Sequence, residues 1–492
     1  MSIKQRILGL LGDSSFRAPV IKLLSGTGVA FLIGYLAKIV LLRIYPAEYW
    51  GIADYIVTWV TILVPLSSLR YEDALMLPEN RRTSAHAYLL AISTVVISTV
   101  LLLVLIAFFP PVIEFFAERE IGRWALFLPL ALFANRVAKI SELWLSRQES
   151  FGTISIGQIV QSGSMTTIRV TSGLIGPGPG GLLWGFIGGY LLSTASYLKR
   201  VWNTLKDSLQ GPVKKQELNY VARRYRKFPL FTMPATLLSA LITRMPFLAI
   251  PEFFDWEIMG QFSQGFNVLF VPLSLLGSSV AQVFFVRAVE VNRAGKLAQF
   301  SANVHGRLVL MSIFPVSILM VAGGDIFHAL FGAEWRVSGD FLLWIAPWIM
   351  LSIVASPMTR LFDVLERQKL EFITVFVMFI VILGAVCLGG QSGDIHQLVL
   401  YLGVGGTLVR FGQIILLLKL SGTSLRDTLS PYFKYTLAVA PILIGVWFAT
   451  TFDSPWISTS AAALGGLLFA AYVFIAERSR SRSKASDTSS DA

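Results

Sequence analysis

The sequence is poor in residues that hold metals or form cross-links. Cys387 is the only cysteine in 492 residues, which excludes a disulfide framework and a thiolate metal cluster. The four histidines are scattered and show no metal-ligand spacing; they are His86, His305, His328 and His396. We therefore predict that the protein has neither a metal site nor a bound cofactor.

Sequence signatures of enzymes are also missing. The chain contains no GxxxxGK[ST] phosphate loop, so it carries no ATPase of its own, and it has no HExxH or CxxC zinc pattern. No outward loop between apolar stretches is long enough to hold a large external active site. We predict a protein without catalytic residues, and a small active site inside the membrane is the alternative.

Charged residues are scarce and apolar ones abundant. Only 14% of residues are charged and 54% are hydrophobic, a composition that excludes an ordinary soluble globule. A helix needs about 20 apolar residues to cross the hydrocarbon core of a bilayer, and about fourteen segments approach that length. They lie at 20–42, 51–69, 86–109, 122–145, 152–174, 182–198, 228–250, 258–286, 306–330, 341–359, 370–389, 397–418, 433–451 and 456–476. We predict an all-α, polytopic membrane protein.

The charges of the connecting loops alternate in sign. If the N-terminus is cytoplasmic, most of the 41 Lys and Arg residues fall in inward loops and in the two tails. The outward loops hold only Arg43, Arg119, Arg123 and Arg336, and their acidic residues include Glu114, Glu118, Glu120, Glu252, Asp255, Glu257, Asp325, Glu334 and Asp340. This bias predicts a multi-pass protein with both ends in the cytoplasm. The net charge of +12 then faces anionic lipid, and we expect no nucleic-acid partner.

Composition also suggests a domain order. We expect a six-helix bundle at 1–200, a basic linker at 201–227, a second six-helix bundle at 228–420, two extra helices at 421–477 and a disordered tail at 478–492. Trp50-Gly51 leads into Val64-Pro65-Leu66, and Met259-Gly260 leads similarly into Val271-Pro272-Leu273. This internal repeat predicts two pseudo-symmetric bundles that share one orientation in the membrane.

Four positive side chains lie within apolar segments: Lys38, Arg169, Arg244 and Arg410. A charge at the bilayer centre costs about 2.5–3.5 kcal/mol on insertion scales, so such residues usually face a bundle interior or water. Lys38 and Arg244 occupy matching places in the two halves, each shortly before a proline. We predict that the four cations bind an anion; snorkelling to the interface is the alternative, most easily for Lys38 and Arg169. Asp54 is the main acid within a segment and our candidate for ion coupling.

Polar side chains also recur at helical spacing. One face of the fifth segment carries Gln158, Gln161 and Arg169, and the eighth segment carries Gln261, Gln264 and Asn267. Such stripes predict either a sugar-facing wall or hydrogen bonding between helices. Arg136 is a further candidate for substrate binding, although it and the neighbouring Lys139 and Glu142 could instead form only a cytoplasmic rim.

Three stretches carry a resemblance to a known family. These are 43–51, which closes the first outward turn, 69–78, which joins the second and third segments, and Arg147-Gln148 followed by 151–161. The chain resembles a polysaccharide (O-antigen-type) flippase of the multidrug/oligosaccharidyl-lipid/polysaccharide exporter superfamily. The resemblance spans nearly the whole chain and implies two six-helix bundles around a V-shaped cleft, with two additional helices.

The resemblance also implies a function. It implies that the protein moves an undecaprenyl-pyrophosphate-linked oligosaccharide from the inner to the outer leaflet of a bacterial inner membrane by alternating access. The product would serve O-antigen, capsule or exopolysaccharide synthesis, with a polymerase and chain-length machinery as partners of a monomeric transporter. The alternatives are a multidrug-and-toxin exporter, which needs buried carboxylates for cationic drugs, and a membrane glycosyltransferase or polymerase.

Overall fold

The backbone of residues 14–490 is described by a computed structural model, with side chains for most of them (not 14–26, 474, 476–490 or several positions within 276–286). Within this range the structure is helical and contains no strand. The chain forms two compact units. Unit 1 comprises the residues up to Pro251 together with Asp255–Gly260, and unit 2 comprises Glu252–Phe254 and the residues from Gln261 onward.

The long helices of unit 1 are α1 to α7. Their bounds are Ser14–Ile44 (α1), Ala47–Ser68 (α2), Arg81–Phe108 (α3), Phe127–Arg147 (α4), Phe151–Ile175 (α5), Pro179–Leu209 (α6) and Met233–Phe253 (α7). Between them lie the short helices Pro110–Ala117, Gly122–Ala125 and Lys215–Arg224, the 3-10 turn Tyr71–Met76 and the π-turn Phe228–Thr232.

The long helices of unit 2 continue the numbering from α8, whose first residues up to Gly260 belong to unit 1. Their bounds are Trp256–Arg293 (α8), Leu297–Phe331 (α9), Leu342–Met358 (α10), Gln368–Gln391 (α11), Ile395–Leu420 (α12), Leu425–Thr450 (α13) and Pro455–Ser490 (α14). Short helices cover Arg336–Asp340 and Arg360–Val364, and a 3-10 turn covers Ala333–Trp335.

Each of the predicted apolar segments coincides with one of these long helices. The all-α membrane fold predicted from the sequence is confirmed. Within the described range, 10 helices are long and apolar enough to cross a membrane. The others, α4, α5, α6 and α8, are more polar, so the count of fourteen crossings stays a prediction.

Apolar packing at one end of unit 1 fixes the site-bearing helices. Tyr88 of α3 packs against Trp144 of α4 with ring centroids 5.5 Å apart. The Trp144 indole donates a hydrogen bond to Thr204 of α6 over 2.9 Å, and Tyr197 of α6 is buried in the same cluster. Burial of a large aromatic side chain contributes about 1.5–3 kcal/mol, so this cluster holds α3, α4 and α6 in a defined arrangement.

The segment at 201–227 has more structure than its prediction as a linker implies. Residues up to Leu209 continue α6, Gly211-Pro212 interrupts the helix, and Lys215–Arg224 forms a new helix against α3. Val221 is 1% exposed, and Glu217 lies 2.9 Å from Arg82. By its contacts this helix belongs to unit 1.

The last two helices pack on α9 within unit 2. Phe314 of α9 and Phe469 of α14 stack with ring centroids 4.8 Å apart. The backbone of the tail that we predicted to be disordered is helical as far as Ser490, and no glycine or proline interrupts the chain there. Its last two residues lie outside the described range, as does most of the N-terminal segment.

Asp325 lies in a helix and not in an outward loop. Asp325 was placed in an outward loop, but α9 continues to Phe331, so Asp325 lies inside that helix and is 7% exposed. It pairs with Arg336 at 3.1 Å and accepts a hydrogen bond from Ser458 at 2.7 Å. The glycines Gly323 and Gly324 before it permit close packing of 336–340 against the helix.

Candidate functional site

Three of the predicted cations interact electrostatically with one carboxylate of unit 1. Asp54 of α2 lies within electrostatic range of Lys38 of α1, Arg169 of α5 and Arg244 of α7. Three positive groups and one negative group give this set, which we call the cation cluster, a formal charge of +2. The cluster can therefore accept an anion.

The motif at 43–51 positions Arg169. The Tyr45 hydroxyl donates a hydrogen bond to the Arg169 carbonyl over 2.7 Å, and the guanidinium carbon lies 5.5 Å from the centroid of the Trp50 ring. Arg169 Nε donates to the Leu182 carbonyl of α6 at 3.2 Å. A cation over an indole face is attracted by its quadrupole. These contacts hold the guanidinium inside the helices, so snorkelling does not account for Arg169.

Small residues of α6 make room for that side chain. A Cβ at Gly185 would lie 2.3 Å from Arg169 Cγ, and one at Gly181 would lie 2.5 Å from the Tyr45 hydroxyl. Real side chains do not approach so closely. The site therefore depends on glycines in α6 as well as on the charged residues themselves.

Arg244 of α7 lies within electrostatic range of the same carboxylate. Its guanidinium carbon lies 5.3 Å from the Phe247 ring centroid. The repeat suggested that Lys38 and Arg244 were counterparts in separate bundles. In the structure α7 lies in unit 1 by its contacts, and both side chains are within electrostatic range of Asp54. Their correspondence in the repeat stays a prediction.

The polar stripe of α5 is partly used by protein contacts. Thr27 of α1 donates to Gln158 Oε1 over 2.7 Å, and Gln158 Nε2 donates to Glu142 of α4. Lys139 also pairs with Glu142, at 2.7 Å. Gln158 thus joins three helices. No hydrogen bond to the half-buried Gln161 side chain is found among the described residues, which leaves its amide available to a ligand.

Arg136 belongs to a separate, buried ion pair. It is 6% exposed and donates to Glu72 over 2.5 Å, while Arg70 lies 2.9 Å from Asp73 and 3.6 Å from Glu72. Burial raises the pKa of Asp73 above its ordinary value, against the charge of Arg70. Removing one partner of a buried pair is far more costly than the pair is stabilising. This arrangement fits a structural role for Arg136 better than substrate binding.

Arg410 is the candidate cation of unit 2. Its Nη1 donates to Gln413 of the same helix over 2.7 Å, and Gln413 donates to Thr374 of α11 over 3.1 Å. The buried Arg410 Nε has no hydrogen-bond partner. Within the described part of the chain no carboxylate pairs with it, so Arg410 is a partly buried cation bonded only to neutral groups.

The amide stripe of α8 does not form an open wall. Gln261 is 2% exposed; it donates to the Glu334 carbonyl over 2.5 Å and accepts from the Ser338 amide over 3.1 Å. Gln264 is 1% exposed, and only Asn267 is partly accessible. Gln261 therefore anchors the turn between α9 and α10, which favours the helix-to-helix reading over the sugar-facing one.

The groups that support the charged residues are not among the residues predicted from the sequence. Tyr45, Trp50 and Glu72 all lie in the stretches that carry the family resemblance, which was the available signal. Their roles depend on which helices touch, and the sequence does not specify that. Within the described residues, no group of three or more His, Cys, Asp or Glu side chains is placed to hold a metal ion.

Comparison with protein families identifies the chain. A model of the family described as "Polysaccharide biosynthesis protein" matches residues 40–340, more than half of the sequence. The protein belongs to this family. The match includes the cation cluster apart from Lys38, and the family resemblance predicted from the sequence is confirmed. No curated protein matches the sequence.

Solved transporter structures share the fold of this polysaccharide biosynthesis family member. The lipid II flippase MurJ, in an inward closed conformation, aligns with a TM-score of 0.71 at 13% identity, covering 92% of this chain and 99% of MurJ. An inward-facing multidrug resistance MATE transporter of the MOP superfamily aligns with a TM-score of 0.61 at 12% identity, covering 82% and 99%. The MATE protein in complex with MaD3S gives 0.51 at 13% identity, covering 84% and 98%. The fold is thus that of multi-pass membrane transporters.

Proposed function

We propose that this protein is a flippase that moves a lipid-linked oligosaccharide across the membrane for surface polysaccharide synthesis. The observation that carries the proposal is the cation cluster, a formal +2 charge set among the helices of a member of the polysaccharide biosynthesis family. Its substrate would be a glycan on undecaprenyl pyrophosphate, transferred from the inner to the outer leaflet by alternating access.

The chemistry of the substrate explains why positive groups are needed. A glycan cannot enter hydrocarbon without losing the water partners of its hydroxyl groups. A diphosphate must in addition keep its negative charge compensated. Guanidinium groups are permanently charged and bind phosphate oxygens in pairs, so Arg169 and Arg244 would hold the diphosphate while the polyprenyl tail stays in lipid.

The remaining candidates have secondary roles in this proposal. Lys38 would add charge to the cluster, and Gln161 would hydrogen-bond the sugar next to the diphosphate. Arg410 would form a second anion contact in unit 2. Asp54 would be the coupling residue; a membrane potential of 100 mV supplies about 2.3 kcal/mol per charge moved, enough to bias transport.

The same proposal predicts the location, orientation and partners of the protein. We infer that both termini lie in the cytoplasm, because this orientation places most Lys and Arg residues in cytoplasmic loops. A glycan carried on undecaprenyl pyrophosphate would place the protein in a bacterial inner membrane. We infer that a monomer transports the glycan, and that a polymerase and chain-length machinery receive it.

Translocation in proteoliposomes tests the function. Purified protein is reconstituted with a fluorescent undecaprenyl-diphosphate oligosaccharide, and arrival of the label in the opposite leaflet is followed with a membrane-impermeant quencher. We expect label to move faster than in protein-free liposomes, with the lipid-linked glycan chemically unchanged. Incorporation of sugar into a longer product would instead support a polymerase, and no movement above the protein-free rate would contradict the proposal.

A multidrug-and-toxin exporter is the second candidate, because MATE transporters share the fold. Export of cationic drugs requires an excess of buried negative charge. The cluster here has the opposite sign, three cations around Asp54. Transport of a cationic dye by the reconstituted protein, without movement of the glycan lipid, would favour this alternative.

A further inference from the structure

The short helix Lys215–Arg224 of unit 1 exposes a basic face that the transport site does not use. Gln216, Asn219, Tyr220, Arg223 and Arg224 line an open hollow of about 570 Å³ on this face. These positions follow the spacing of a single helix face. Exposed cations continue on both sides of the hollow; they are Lys214, Lys215, Arg226 and Lys227.

The opposite face holds the helix in place. Glu217 lies 2.9 Å from Arg82 and 2.7 Å from His86 Nε2, both on α3. Val221 is buried, and the Tyr71 hydroxyl donates to the Ala222 carbonyl over 3.3 Å. The basic face is therefore presented in a fixed orientation rather than on a free segment.

The helix also lies where membrane spans begin. Arg82, which pairs with Glu217, belongs to the first turn of the candidate span Arg81–Phe108. The next candidate span, Phe228–Phe253, starts four residues after Arg224. Leu230 and Phe231 at its beginning are strongly exposed, as is Tyr220 beside the arginines. Basic, aromatic and apolar side chains side by side are typical of a surface at the lipid headgroup layer.

We propose that this face binds the phosphate headgroup of an anionic phospholipid. Arg223 and Arg224 supply paired donors for a phosphate, and Tyr220, Gln216 and Asn219 supply neutral hydrogen-bonding groups around it. The neighbouring apolar side chains suit a lipid and not a soluble polyanion such as nucleic acid. The proposal is independent of the flippase assignment, because none of these residues belongs to the cation cluster or to Arg410 and its partners.

Fluorescence quenching in the membrane tests whether this face binds anionic phospholipid. The only cysteine is removed by Cys387→Ser, and a fluorophore is attached at Val213→Cys, an exposed position two residues before the helix. The full-length protein is reconstituted in phosphatidylcholine with a small fraction of nitroxide-labelled phosphatidylglycerol or nitroxide-labelled phosphatidylcholine. We expect at least threefold stronger quenching by the anionic lipid, reduced by 0.5 M salt because exposed charges are screened.

Charge variants distinguish binding at this helix face from a general attraction between the basic protein and anionic lipid. Arg223→Gln with Arg224→Gln should abolish the preference for phosphatidylglycerol, and Asn219→Asp should reduce it. The matched control is Arg287→Gln with Arg360→Gln, two equally exposed arginines of unit 2, which should leave the preference unchanged.

Three results would overturn the proposal. They are equal quenching by the two lipids in the parent protein, a preference that survives in the Arg223 and Arg224 double variant, and a preference removed by 10 mM inorganic phosphate at constant ionic strength. The last result would show that a free phosphate, and not a lipid headgroup, is the ligand.

Discussion

Gly51 of α2 and Gly260 of α8 lie directly against each other. A Cβ added at Gly51 would be 2.0 Å from the Trp256 carbonyl oxygen, and one added at Gly260 would be 1.8 Å from the Ala47 carbonyl oxygen. These are the two glycines that the internal repeat aligns. Both contacts are made within unit 1, and only residues without a side chain allow so close an approach.

Alanine at either glycine should destabilise the protein. The obstructing atoms are backbone, which cannot rotate away, and overpacking typically costs about 1–3 kcal/mol. We expect Gly51→Ala and Gly260→Ala each to lower the detergent melting temperature by several degrees. Gly445→Ala in α13, where nothing lies within 4 Å, is the control and should be neutral or slightly stabilising. Unchanged melting of both variants would contradict the close crossing.

Gly185→Ala should impair transport because it displaces the side chain of Arg169. The new methyl group would displace Arg169 Cγ, since the Met165 carbonyl, 3.0 Å away, blocks the alternative direction. We expect glycan translocation to fall at least tenfold while the protein still expresses and inserts. Translocation at the parent rate would mean that the position of the Arg169 guanidinium is unimportant.

The buried pair of Arg136 and Glu72 should be structural. Loss of one partner leaves an uncompensated buried charge, which costs about 3–5 kcal/mol, whereas replacing both with apolar residues is often neutral. We expect Arg136→Met to lower the melting temperature strongly, and Arg136→Met with Glu72→Leu to recover stability and transport. If Arg136 bound the substrate, the double variant would be stable but inactive.

Arg410→Gln should separate transport from stability. Because Arg410 has no carboxylate partner among the described residues, removing its charge leaves no acid unpaired and should keep the melting temperature within a few degrees. Translocation should nevertheless fall at least tenfold. Normal translocation by this variant would exclude Arg410 from the substrate path.

Acid should release the Lys215–Arg224 helix from α3. Desolvation raises the pKa of Glu217, but the hydrogen bond from Arg82 and the charges of His86, Arg82 and Lys214 outweigh it and leave the pKa below its ordinary value. A lowered carboxyl pKa gives stabilisation that is complete above the unfolded value, about 4.3, and is lost as pH falls through the folded value.

The mobility of a nitroxide at Val213→Cys, in the Cys387→Ser background, measures this release. It should stay low at neutral pH and rise below the ordinary glutamate value. The control Glu217→Gln should be mobile across the whole range. A parent protein that shows no increase in acid would contradict an anchoring role for Glu217.

The fold was largely predictable because membrane spans are read from local composition. Every apolar segment became a long helix, since a backbone in lipid must satisfy its own hydrogen bonds. Asp325 was assigned to an outward loop because a carboxylate resembles a loop residue unless its partners Arg336 and Ser458 are known. Pairing over such sequence distances is set by packing.

The site was predictable only as a set of residue types. Charges in apolar segments identified Lys38, Arg169, Arg244 and Asp54, but not that Asp54 lies near all three cations. Its charge also made Arg136 a candidate, although Arg136 has a buried partner in Glu72. The helical spacing of amide side chains made Gln261 a candidate, although Gln261 anchors a turn. Periodicity gives the face of a helix but not the neighbour that covers it.

The affinity of the protein in nanodiscs for an undecaprenyl-diphosphate oligosaccharide shows whether the cation cluster binds the diphosphate. A charged hydrogen bond contributes about 1.5–3 kcal/mol, so Arg244→Ala should weaken binding at least tenfold without a comparable loss of thermal stability. Equal affinity of the parent and the well-folded Arg244→Ala protein would contradict the account, because the cation cluster would then not bind the diphosphate.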